Sequence, residues 1–289
     1  MLRKTINKID RLFKDAIRLF EWTLWVRILT VGWAIPFEFI GILISIATFY
    51  FYTFGIAGSE ALLEGYNPIH YLITGLFIRS LVSIPLPSIH DSVNDLYRGF
   101  FGSGGVRMSL ADYLMNLRMS IYSYIIANLI SIYIRESIVA FLYIIIGSTF
   151  YGLILPTADK LLIVLIAIFM GSIASLGIGF IAASIIWFTG VMPIRSPAIW
   201  IMDILISLTS GTYFPVRLLP SWLQVISLML PHFYCLKIVR SAFAMGDTGL
   251  PSAELITLSI YMLTSILLGL SIFHTTYRKR GKRGPPTPL

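Results

Sequence analysis

LTSGTYFPVRLLPSWLQVISLMLPHFYCLKIVRSAF, residues Leu208–Phe243, decides how this chain is read. The stretch is apolar enough for a membrane, but Pro215, Pro220 and Pro231 cut it into pieces. The residues between Pro220 and Pro231 make about 15 Å of helix. A single crossing of the hydrocarbon core needs about 20 apolar residues. The piece after Pro231 is as short. Two half-length apolar helices joined at a proline predict a re-entrant hairpin over 214–245, which dips into the membrane and returns to the same side. The competing arrangement is one kinked span from Leu219 to Met245.

Composition frames that choice. The chain has 289 residues, 57% hydrophobic and 12% charged, with a mean hydropathy of +0.83. This is the profile of a multi-pass membrane protein embedded in a lipid bilayer. The lone Cys235 excludes an intrachain disulfide and a cysteine metal cluster. The net charge of +8 lies at the chain ends and in loops, a distribution that fits membrane topology and not nucleic-acid binding.

Working outward, residues 4–27 predict an amphipathic interfacial helix. Ile6, Ile9, Phe13, Ala16, Ile17, Phe20 and Leu24 share one face, with Lys4, Lys8, Arg11, Asp15 and Arg18 opposite. No short apolar run with a cleavage site follows, so it does not read as a signal peptide. A first span is expected at Val31–Phe54, ending in Phe49, Tyr50, Phe51, Tyr52 and Phe54. These form an aromatic belt or a stacking surface for a ligand. A second span is expected at Ile69–His90, fraying at Pro85 and Pro87. Residues 91–133 then form a cytoplasmic region. The apolar run Ser120–Leu155 would be about 54 Å as one helix and holds Arg135 and Glu136 near its middle. It is therefore divided into an interfacial or cytoplasmic helix over 109–133 and a third span at Ser137–Leu155. The fourth span, Leu161–Phe188, carries Gly171, Ser175, Gly179 and Ala183 at intervals of four, a stripe that admits a close neighbouring helix. The fifth is Ala198–Tyr213 and the sixth Ala253–Phe273. A basic tail over 278–289 follows, with Arg278, Lys279, Arg280, Lys282 and Arg283 and a proline-rich, disordered end.

The expectation is thus an all-α membrane protein in a single domain: an interfacial helix, six transmembrane helices and a re-entrant hairpin before the last. Six spans place both termini on the side richest in Lys and Arg, the cytoplasmic side. A single kinked span over 219–245 would send the basic tail outward, so the hairpin is preferred.

Motifs for chemistry are sparse. There is no P-loop, so no nucleotide is bound through that motif, and neither H-E-x-x-H nor G-x-S-x-G occurs. His70, His90, His232 and His274 are scattered. Intramembrane charges carry a functional claim by default. Glu38, Arg79 and Asp203 are the three, and Arg79 is expected to pair with one of the carboxylates, whether for structure or for function.

The stretch SGTYFPVRLLPSWLQVISLMLP, Ser210–Pro231, with the later Tyr234 and Arg240, resembles the C-terminal signature of type-2 ABC exporter permeases, which include daunorubicin-resistance and O-antigen exporters. Tyr71–Ile84, YLITGLFIRSLVSI, is similar to the second span of that family, and Ser109–Leu114, SLADYL, to its short coupling helix. The acidic element the family often carries before the third span is missing here. The resemblance implies a permease with no catalytic, cofactor or metal residues of its own. It implies a homodimer or a pairing with a paralogous permease, and ATP and Mg in a partner ABC ATPase subunit. Arg107, Ser109, Leu110, Asp112, Tyr113 and Arg118 are the expected ATPase-coupling residues. Phe214, Pro215, Leu219, Pro220, Trp222, Ile226, Met229 and Pro231 are expected to shape an outer gate, with Trp222, Ile226 and Met229 pressing one apolar face on the spans or merely anchoring the hairpin. The expected cargo is a hydrophobic or amphiphilic molecule leaving through the cell membrane, with a polysaccharide or lipid-linked glycan as the alternative. An ATP-independent secondary transporter or channel is the reading from another class, and it would need a relay of intramembrane charges.

Overall fold

The structure is a computed structural model. It describes residues 12, 14–21, 36–37, 39–48, 51, 67–97, 99–101, 107–189, 191–192, 197–243, 251–281 and 287–288. Among them the chain is helical. Its elements are α1 (Phe39–Thr48), then α2 (Pro68–Val82), α3 (Pro85–Tyr97), a small β1–β2 ladder (Gly99–Phe101 with Arg107–Ser109), α4 (Leu110–Asn116), α5 (Ile121–Tyr151), α6 (Ala158–Thr189), β3 (Val191–Met192), α7 (Pro197–Thr209), a 3-10 turn (Val216–Leu218), α8 (Ser221–Leu228), α9 (Pro231–Ala242), α10 (Ser252–Gly281) and β4 (Thr287–Pro288). Four helical rods are long and apolar enough to cross a membrane: Pro68–Leu96, Ile121–Tyr151, Ala158–Ile186 and Ser252–Lys279.

The rod Pro68–Leu96 is the axis of the fold and the most buried of the four. Asn67 caps its start by accepting the Ile69 N–H at 2.9 Å, and Pro68 occupies the first turn, where no N–H is needed. Pro85 interrupts the ladder after Val82, yet α3 continues the rod past the expected end at His90. One of the polar residues beyond is satisfied internally. Ser92 is buried, donates to the Ser88 carbonyl at 2.6 Å and accepts from Asn128 Nδ2 at 2.6 Å.

The division expected within Ser120–Leu155 does not occur. α5 is one helix of 31 residues, about 46 Å long. Ser120 caps it and Gly152, at φ 66°, ends it in the left-handed region. No breaker lies between, and Arg135 bonds Glu136 at 3.1 Å, so the adjacent opposite charges offset each other within the helix. The rod exceeds a hydrocarbon core of about 30 Å. Its first turns join a second core with α3, α4, α6 and α10, built on Ile89, Val93, Leu96, Leu114, Tyr124, Phe180 and Phe273.

Lipid tails are as apolar as leucine, so the rods are held by close packing. The α6 stripe supplies it on one face. A Cβ on Gly171 would stand 3.1 Å from Val82, and one on Gly179 would stand 2.8 Å from the Pro85 carbonyl oxygen. A second crossing uses Gly177 and Gly269, where the backbones of α6 and α10 touch.

Other expectations need adjustment. The proposed span Ala198–Tyr213 is a helix of 13 residues, about 20 Å, followed by an irregular turn. α10 continues to Gly281, so Arg278 and Lys279 are helical. At the chain end, expected to be disordered, Thr287–Pro288 pair in parallel with Val191–Met192. The interfacial helix is described over residues 14–21. There Ala16 is buried, but Ile17, assigned to the same apolar face, is 56% exposed. Ile6, Ile9, Phe13, Leu24, most of the aromatic run and Glu38 lie outside the described residues. Within α1, Ile42 and Ile46 enter the main core.

Candidate functional site

One seam on the axial rod collects the polar groups of the membrane region. Tyr71, Gly75, Arg79 and Ser83 recur at intervals of four and so lie on one face. Each meets the segment that follows α7. The Tyr71 hydroxyl donates to the Gly211 carbonyl at 3.0 Å. Arg240, on α9, stacks its guanidinium 3.4 Å over the Tyr71 ring. It also donates Nη2 to the Tyr71 carbonyl at 3.1 Å and more weakly to the Thr212 carbonyl at 3.4 Å. Gly75 is required because a Cβ there would collide with the Thr212 carbonyl. Gly211, at φ 85°, turns the chain beside it.

One helical turn on, Arg79 Nη1 donates to the Tyr213 hydroxyl at 2.6 Å, and its Nη2 donates to both carboxylate oxygens of Asp203 at 3.1 and 3.3 Å. The ion pair expected of Arg79 therefore forms with Asp203. A further turn on, Ser83 Oγ meets His232 Nε2 at 3.1 Å. The seam ties α7, the 210–215 turn and α9 to the one rod that the rest of the fold encloses. Arg240, Tyr71 and Gly75 were not singled out from sequence as site residues. The signal for Tyr71 and Gly75 was the four-residue spacing within YLITGLFIRS, while Arg240 was carried only as the late arginine of the C-terminal signature.

The proline break lies where expected. Pro220 precedes the first turn of α8 at φ −52° and ψ 146°. Leu230 is extended, with φ −102° and ψ 128°, and Pro231 opens α9, as the clash of a proline ring with the preceding residue requires. The axes of α8 and α9 differ by 83°. The orphan carbonyl of Leu228 at the end of α8 is satisfied twice, by the hydroxyls of Tyr234 at 3.0 Å and Tyr261 at 2.8 Å. Gln224 Nε2 donates to the Leu219 carbonyl at 2.7 Å and closes the turn before α8. Lys237 bonds Glu254 at 2.7 Å, joining α9 to α10.

The faces of α8 are the reverse of those expected. Trp222 and Met229 are exposed rather than pressed on the spans, and Ile226 is only half-buried, while Ser227 is fully buried. The polar side of this short helix uses its hydroxyl and amide on backbone carbonyls, and the apolar side turns outward. Of the remaining residues assigned to a gate, Pro215 is buried, Phe214 and Leu219 are half-buried, and Pro220 is exposed.

The coupling segment is a separate small unit. Ser109 and Asp112 form a reciprocal capping box: the Asp112 N–H donates to Ser109 Oγ at 3.1 Å, and the Ser109 N–H donates to Asp112 Oδ2 at 3.2 Å. Arg107 pairs with Phe101 in the ladder just before it. Ala111 and Leu114 are buried and Leu110 is half-buried, whereas Tyr113, Met115 and Leu117 are exposed. Arg118 is exposed at φ 55° in the turn that ends the unit. A cavity of about 460 Å³ separates this turn from the N-terminal helix, lined by Lys14, Asp15, Arg18, Leu117 and Met119.

Among the described residues no three His, Cys, Asp or Glu side chains converge on a metal position. His70 adjoins the seam in sequence but meets the Tyr151 carbonyl, and His274 meets the Tyr122 hydroxyl. No family model matches this chain, and no curated protein matches it.

Proposed function

We propose that this chain is the membrane-spanning subunit of an ATP-driven exporter of the type-2 ABC permease kind. A partner ATPase would hold ATP and Mg, and a second copy or a paralogous permease would complete the path. The single observation that carries the reading is α4. It is a capped helix, anchored by Ala111 and Leu114 and attached outside the long rods, that presents Tyr113, Met115 and Leu117 to solvent. An exposed apolar ridge with a fixed base is a surface for a soluble partner.

In this reading six crossings, counting α1 and α7 as the two shorter ones, place both termini in the cytoplasm of a cell-membrane protein. The α8–α9 pair is a re-entrant hairpin at the outer side. Closure of the ATPases on α4 moves the rods as rigid bodies, and the seam along α2 carries that motion to the 210–215 turn and the hairpin. The cargo is hydrophobic or amphiphilic. Three intramembrane charges, two of them bonded to each other, make a thin relay for a secondary transporter.

A photo-crosslinking residue at position 113, introduced in cells, tests the reading. Capture of an ATP-binding subunit is expected there and not from position 201, on the exposed side of α7. Capture from neither position, with the chain intact and inserted, would overturn it.

A further inference from the structure

The outward side of α7 carries Trp200, Ile201, Ile204 and Leu208. Among these apolar side chains lies Asp203, 54% exposed, while its partner Arg79 is 25% exposed. An ionised carboxylate turned toward lipid tails is costly, so intramembrane charges face a water-filled path or another polar surface. The two members of the pair are not presented equally. Arg79 is the more buried, and its Nη1 is occupied by the Tyr213 hydroxyl at 2.6 Å. Asp203 stands in front, and among the described residues its carboxylate accepts only from Arg79. Two carboxylate oxygens offer about four acceptor positions, which leaves capacity toward the path.

Trp200 precedes Asp203 by three residues, so their Cβ atoms are about 5–6 Å apart on one helical face. The indole is 64% exposed. An indole face beside a carboxylate, set in an apolar wall, is the chemistry that recognises a cation with an apolar body. We propose that Trp200 and Asp203 form a binding site for an organic cation, an amphiphile with a quaternary or protonated headgroup. Arg79 positions the carboxylate, and Ile204 meets the ligand's apolar part. An anion of the same shape meets the carboxylate first and is excluded. The site rests on the exporter reading only in making the ligand its cargo.

The test uses the full chain in phosphatidylcholine nanodiscs, with tetraphenylphosphonium as probe and tetraphenylborate as its anionic counterpart. Binding is measured by equilibrium dialysis after subtraction of empty discs. The parent should bind the phosphonium saturably and the borate only as empty discs do. Asp203→Asn should weaken phosphonium binding about tenfold or more. Trp200→Leu, at an exposed position that leaves the Arg79–Asp203 pair intact, should weaken it roughly three- to tenfold, with Trp200→Phe recovering most of the loss. Parent-like binding in either loss variant, or no saturable binding in the parent, overturns the proposal. No ATPase is present in the assay, so the two readings fail separately. Position-dependent cation binding without an ATPase partner would leave the site and remove the exporter. An ATPase partner without such binding would do the reverse.

Discussion

Arg240→Met is the most informative perturbation of the seam. Methionine is long and apolar, so it fills most of the space while removing the guanidinium. What is lost is a charge-assisted bond to the Tyr71 carbonyl at 3.1 Å and the stack 3.4 Å above the Tyr71 ring. The bond to Thr212, at 3.4 Å, is long and contributes little. A charged hydrogen bond is worth about 1.5–3 kcal/mol, and a desolvated cation–π contact about 2 kcal/mol. Against these stands relief of the guanidinium's own desolvation. The Tyr71 carbonyl also keeps the Thr74 hydroxyl as a donor at 3.0 Å. A net loss of about 3 kcal/mol follows, or roughly 5–10 °C in unfolding midpoint for a chain of this size. Arg240→Lys should fall between, because a lysine keeps the charge without the planar stack. Thermal unfolding of the chain in nanodiscs gives the midpoint, and cysteine labelling at position 212 reports whether the turn has come loose from α2. A midpoint within about 1 °C of the parent, with position 212 still protected, would refute the claim that Arg240 fastens the turn to the axial rod.

Three further outcomes follow from the same geometry. Gly269→Leu should block the α6–α10 crossing, since the Gly177 backbone occupies the space a side chain would need; cross-linking between cysteines at positions 180 and 273, whose parent rings lie 5.1 Å apart across the same helix pair, should fall sharply, and parent-like cross-linking would contradict it. Pro231→Ala restores an N–H and relieves the restriction on Leu230. The 83° bend between α8 and α9 should relax, lengthening the distance between spin labels at 222 and 241; an unchanged distance would mean that the tyrosines holding the Leu228 carbonyl set the bend alone. Substituting Asp112 and Tyr113 together should uncouple ATP hydrolysis from transport with the melting of the membrane core unaltered. Normal coupling would move the docking surface elsewhere, the N-terminal helix being the nearest alternative.

Much of the architecture was legible where its cause is local. A proline removes a donor and restricts its predecessor wherever it sits, so the break at Leu230–Pro231 could be placed to the residue. The stripe Gly171–Ser175–Gly179 announced a close neighbour because only small side chains admit one. Features that depend on partners distant in sequence were not legible. Arg240 read only as the late arginine of the hairpin until α2 supplied the Tyr71 ring. Gly177 sits between members of the stripe and gained meaning only from Gly269. Ser120–Leu155 was divided because it is too long for one crossing and holds Arg135 and Glu136 near its middle; as neighbours that bond each other they leave α5 unbroken. The faces of α8 were inverted because an apolar side was assumed to seek protein. The buried side is instead the hydrogen-bonded one, with Gln224 and Ser227 on backbone carbonyls. The short helix α4 begins where SLADYL was picked out, but the expected helix over 109–133 is divided at Leu117–Ser120, and the exposed ridge of Tyr113, Met115 and Leu117 needed the fold.

The central claim is that this chain works with a separate ATPase. Affinity purification of the full chain from its native membrane, in lipid nanodiscs and without overproduction, measures that directly. An ATP-hydrolysing subunit is expected in stoichiometric amount. An intact, folded chain that is purified repeatedly with no nucleotide-binding partner would contradict it.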